Sequence, residues 1–124
     1  MAWKGVVIEE SLKDRSLLRM ARIVRTRKDT LEGEDERGEM TLHYIEVDDR
    51  DKEKFLEKAK SAIKDAWYLH ICKDGTMAVV FRGRVFEFTA REPGKIREAE
   101  DYGESMGILR EQMNFRGMID EPWA

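Results

Sequence analysis

The chain has one cysteine, one asparagine, one glutamine, two histidines and two prolines among its 124 residues. Each scarcity removes an option. A lone cysteine cannot close an internal disulfide, which fits a reducing, cytoplasmic setting. The opening Met1-Ala2-Trp3-Lys4-Gly5 lacks the apolar run of a secretory leader, and no stretch approaches the roughly 20 apolar residues of a membrane helix. A cytoplasmic protein with no membrane partner is therefore expected. The shortage of thermolabile amides beside many charged residues is the bias of proteins from hot-living organisms, although seven methionines weigh against it. No phosphate-binding Walker loop, dinucleotide fingerprint, nucleophile elbow or paired CxxC occurs, so no cofactor is expected.

What is present is charge and a moderate apolar content. Charged residues make up 40% and hydrophobic residues 41% of the chain, with a net charge of −3. The two signs are interspersed, so no molecule-wide basic field points to nucleic acid. The length suits one domain, 1–124, with a core that needs no covalent staple.

The stretch Trp67–Ala90 carries much of the aromatic and β-branched weight. Asp74-Gly75 and Gly83 interrupt it with residues that tolerate tight hairpin turns, so it predicts a three-stranded meander. A two-residue turn at Asp74-Gly75 sets Lys73 opposite Thr76, Cys72 opposite Met77 and His70 opposite Val79. A turn at Gly83-Arg84 would then set Phe81 opposite Phe86 and Val79 opposite Phe88. Alternation gathers Tyr68, His70, Cys72, Met77, Val79, Phe81, Phe86, Phe88 and Ala90 on one face, the better candidate for the main core. Trp67, Leu69, Ile71, Ala78, Val80 and Val85 fall on the other.

Before the meander, strands are expected at 4–9, 20–28 and 40–47, the last with Met40, Leu42 and Tyr44 on one face and His43, Ile45 and Val47 on the other. Residues 29–39 are acidic and hold two glycines, which predicts a mobile surface loop. Asp48-Asp49 offers an N-cap for an amphipathic helix over 51–66, and Pro93-Gly94 precedes a second helix over 95–106 closed by Gly107. The apolar residues of 107–124 predict a tail that docks on the body. The fold class expected is α+β, in the order β-β-β-α-β-β-β-α. It comprises a mixed, mainly antiparallel sheet of about six strands, with the strands flanking the first helix parallel through a crossover, and both helices on one face.

Few residues invite chemistry. His70 and Cys72 share a strand face, and with His43 they could gather a metal such as zinc. Their spacing matches no established motif, and their expected neighbours Met77 and Val79 favour packing. Arg22 and Arg25, together with Arg82 at the hairpin tip, could form a site for a phosphate or carboxylate. The plainer reading is a charged strand edge that discourages edge-to-edge pairing. The acids, Glu9-Glu10 among them, read as caps and surface charges.

The succession Lys4–Leu12, Thr41-Leu42-His43, Trp67-Tyr68, Phe81–Phe86 and Tyr102–Ile108 resembles a family of small uncharacterised bacterial and archaeal proteins. That resemblance spans most of the chain, departs from it at 29–39, and implies a fold without an activity. The function expected is a non-catalytic module that binds a protein partner, a second copy of itself or a small ligand, through an apolar patch made by the tail or by the Trp67 face. The alternative is an enzyme or a metal- or anion-binding protein that uses the histidines, Cys72 or the arginines.

Overall fold

The structure, a computed structural model, describes residues 2–29 and 39–123. The predicted loop at 29–39 lies almost entirely outside them. Six strands form one sheet: β1 (Ala2–Ile8), β2 (Arg22–Asp29), β3 (Met40–Asp48), β4 (Leu69–Lys73), β5 (Thr76–Phe81) and β6 (Arg84–Thr89). Among the described residues three α-helices accompany them: α1 (Lys52–Ala62), α2 (Pro93–Ser105) and α3 (Phe115–Asp120). This is an α+β fold in the expected order, extended by a short third helix.

The strand order is β2-β3-β1-β4-β5-β6, and every neighbouring pair is antiparallel. The sheet is therefore not mixed. The helical connection does run between β3 and β4, and the two strands point the same way, but β1 is inserted between them and pairs with both. Two antiparallel ladders replace the parallel pair that a direct crossover would have given.

The two helices lie on opposite faces, which corrects the one-face expectation. Phe55, Leu56 and Ala59 of α1 bury against Val7, Ile45, Leu69, Ile71, Ala78 and Val80. Ile96 and Ala99 of α2, with Met113, Phe115 and Ile119 of the tail, bury against Cys72, Met77, Val79, Phe81, Phe86 and Phe88. The physical reason lies in the alternation itself. Both sides of the meander are strongly apolar, and each needs a cover to leave water. Neither side is subsidiary, since Leu69, Ile71, Ala78 and Val80 are as fully buried as Met77, Val79 and Phe81.

The first hairpin holds the expected register, with Asp74 and Gly75 both at positive φ. The second turns at Arg82-Gly83, pairing Phe81 with Arg84 and Val79 with Phe86. Gly83 has φ of +80° and Arg82 does not fall in the positive range, as a turn with glycine in its second central position demands. The pairing differs from expectation by two residues. An even shift preserves faces, so the aromatic side remains intact.

Helix α1 stops at Ala62, four residues short of the expected end. Ile63 turns extended and bridges to Leu12, while Lys64 donates its N–H to the Ser11 carbonyl. Nor does Asp49 cap α1. Its carboxylate takes the Trp3 indole N–H at 2.8 Å and pairs with Lys73 at 2.9 Å. Gly107, as expected, closes α2: its N–H reaches the Glu104 carbonyl, and Ile108 N–H reaches that of Gly103. No helix among the described residues is long and apolar enough to cross a membrane.

Candidate functional site

The sheet face that carries α2 is only partly filled by it. Over β1, β3 and β4 the same face continues as Val6 and Ile8, then Leu42 and Tyr44, then His70. The register places Val6 between Tyr44 and His70, and Ile8 beside Leu42. The tail crosses above this apolar file. Between sheet and tail a cavity of about 250 Å³ opens, lined on one side by these residues and Trp67-Tyr68 and on the other by Ile108, Glu111, Gln112 and Met118.

The tail is a built wall. Met113, Phe115 and Ile119 are buried. The Phe115 ring meets Tyr68 edge-on, with centroids 5.3 Å apart. Tyr68 donates its hydroxyl proton to the Gln112 carbonyl, and its burial pushes the phenol further up in pKa, so it stays protonated. Trp123 donates its indole N–H to the Ile45 carbonyl at 3.2 Å, and the Lys4 ammonium sits 4.8 Å from that ring's centre.

His70 has Nε2 3.0 Å from the Pro122 carbonyl oxygen. A carbonyl only accepts, so Nε2 carries the proton and Nδ1 is left as an acceptor in the neutral ring. Burial lowers the imidazole's proton affinity below its ordinary value, outweighing the opposing Pro122 bond. Cys72, one residue pair along the same face, has its thiol 3.5 Å from the Met118 carbonyl, and burial pushes it up to about 12. A buried thiol held protonated in this way is a poor nucleophile at neutral pH.

The three residues considered for a metal do not meet. His43 pairs across the ladder with Val7, whose side chain belongs to the α1 face, while His70 and Cys72 point to the other. No group of three or more potential ligands gathers among the described residues. Instead His43 lies between Thr26 Oγ1, 2.9 Å from Nδ1, and Glu9 Oε1, 2.9 Å from Nε2. A hydroxyl, an imidazole and a carboxylate in that order have the connectivity of a hydrolytic triad. Here Thr26 stands on an exposed strand, and none of the three residues lines the cavity. The chain satisfies a buried imidazole at both nitrogens and ties β2, β3 and the turn after β1 together. Glu10 does the same beside it, accepting from Thr41 N at 2.7 Å and Thr41 Oγ1 at 2.9 Å.

The arginines considered for an anion site also separate. Arg22 and Arg25 lie on β2, at one edge, whereas Arg82 follows β5, four strand spacings or roughly 19 Å away. Arg22 pairs with Glu46, and Arg82 approaches Asp65 at 3.5 Å. Arg25 alone of the three meets a side chain that lines the cavity, without lining it itself. Its guanidinium lies 4.3 Å from the centre of the Tyr44 ring, while Arg27 donates Nε–H to the Tyr44 hydroxyl at 2.6 Å.

Sequence reasoning singled out His70 and Arg25 but not Tyr44, Ile8 or Gln112 as companions. The available signal was the alternation along 40–47, which already set Tyr44 and Leu42 on one face. It needed the strand order to show what they face. The chain matches no protein-family model, no curated protein and no solved structure.

Proposed function

We propose that this protein is a non-catalytic binding module, and that its site is the cavity between the sheet and the tail, where it takes a small, largely apolar molecule. The composition of the wall carries this reading. Aliphatic and aromatic side chains from three strands and the tail surround the space, and among the described lining residues Tyr44, Trp67, Tyr68, His70, Glu111 and Gln112 carry polar groups. A few convergent polar groups in an apolar concavity is the usual make-up of a small-ligand site. An apolar cavity of about 150 Å³ holds a benzene, so this larger one suits a bicyclic ring or a short acyl chain. The apolar patch expected from sequence at Trp67 and the tail enters this reading as two walls of one pocket.

The reading is tested with 2-naphthol as probe, followed by the fluorescence of the cavity's Trp67 and by NMR. Saturable one-to-one binding is expected. Val6→Phe, which pushes a ring into the space from β1, should abolish it while the far-ultraviolet spectrum stays unchanged. Absence of binding to the parent protein, or binding indifferent to Val6→Phe, would overturn the assignment.

A further inference from the structure

We infer that the ligand of this cavity carries one anionic group, a carboxylate or its equivalent, beside its apolar body, and that Arg25 is the residue that holds it. The inference rests on the cavity being the binding site. Arg25 and Arg27 of β2 lie against Tyr44 and Arg22 stands farther along the strand, and the three are not equivalent. Arg22 is engaged by Glu46, and Arg27 is divided between Asp29 and the Tyr44 hydroxyl. Arg25 has no carboxylate partner among the described residues. Its guanidinium is nonetheless held in place, stacked on the ring of a side chain that lines the cavity. Stacking fixes the plane of the fork and leaves its N–H groups at the edge of that plane, ready for a carboxylate.

Tyr44 completes the arrangement. Because Arg27 donates to its oxygen, the hydroxyl's own proton is not consumed by that bond and can be given to an acceptor. A ligand whose ring enters beside Tyr44 thus meets an O–H donor and then a guanidinium. Glu111 is the one carboxylate among the described lining residues, and it is exposed and belongs to the tail wall. It selects against a second anionic group at that end and leaves Arg25 to fix the ligand's orientation.

The experiment compares three bicyclic probes of similar size: 2-naphthoate, neutral 2-naphthol and cationic 2-naphthylmethylammonium. Each is titrated by calorimetry into the parent protein, Arg25→Gln, Arg25→Lys and a remote exposed charge variant, Lys54→Gln. The naphthoate should bind tightest, and Arg25→Gln should weaken it about tenfold, the scale of a lost hydrogen bond to a charged group. Naphthol should change less than about twofold under the same substitution, Arg25→Lys should recover part of the loss, and Lys54→Gln should leave all three alone. Equal binding of the neutral and anionic probes would overturn the inference, as would tighter binding of the cation or an equal loss for all probes in Arg25→Gln. Those outcomes leave the cavity as the site. Failure of all three probes to bind the parent protein would instead remove the binding-module reading itself, and the inference with it.

Discussion

His70 shows how much a single residue's chemistry depends on its surroundings. An imidazole that stays neutral in the folded state sets a sign for the pH dependence of stability. Its folded pKa lies below the ordinary 6.5, because burial disfavours the charged ring more than the Pro122 carbonyl favours it. As pH falls through the unfolded value of about 6.5, the unfolded chain takes up a proton that the folded chain refuses. The unfolded state then binds more protons, so stability is complete above about pH 6.5 and declines below it. The carboxylates held low by their partners, Glu10, Asp49 and Glu92, act with the same sign but only near pH 4 and below. The urea midpoint should therefore fall between pH 7 and pH 5.5, and this part of the fall should vanish in His70→Gln. An identical slope in the variant would contradict the assignment. Gly5 belongs to the same scale. A Cβ there would stand 1.9 Å from the His70 carbonyl oxygen, so only glycine lets β1 lie against β4 at this level.

At the scale of elements, the tail is the part whose role is least apparent from its length. Six residues of helix cannot hold themselves together in water. What fixes α3 is Phe115, fully buried against Tyr68 and 6.0 Å from the Phe88 ring centre, with Asn114 capping the Gly117 N–H. Phe115→Ala should cost about 3–5 kcal/mol in chemical denaturation, the range for deleting a buried aromatic ring. The Tyr68–Gln112 contact closes the same wall, so 2-naphthol binding should weaken in this variant even where the protein remains folded. A loss below about 1 kcal/mol would show that the tail is laid on the body without being part of its core.

At the scale of the molecule, the sheet ends, among the described residues, in the strands β2 and β6, and such edges are where two copies could pair. Every residue of β2 is exposed, and the strand carries Arg22, Arg25, Arg27 and Lys28. Two such strands brought edge to edge would set cation against cation, a common protection of an open edge. The exposed large apolar residues among those described are Ile23, Val24 and Leu109, far from the area that an obligate interface needs. Native mass spectrometry at micromolar concentration should accordingly report one chain. A doubled mass that persists in 0.5 M salt would refute this and direct attention to β2.

The sequence alone determined the period-two alternation of 40–47 and of the meander, the first hairpin's register and the amphipathic helices. These follow from neighbours along the chain, where a glycine, a proline or a repeat of apolar residues acts within a few positions. The tertiary structure decided the insertion of β1 between β3 and β4. That choice buries Val7 on one face and leaves Val6 half-buried on the other, and nothing within a single strand encodes which strands will flank it. With it came the separation of His43 from His70 and Cys72, since one residue along a strand is the difference between two faces. The distance between Arg25 and Arg82 was set the same way, by three intervening strands that the sequence does not order. The cavity likewise exists only because the tail returns over a file of side chains drawn from three strands far apart in sequence, a contact that depends on packing between elements and has no local signature.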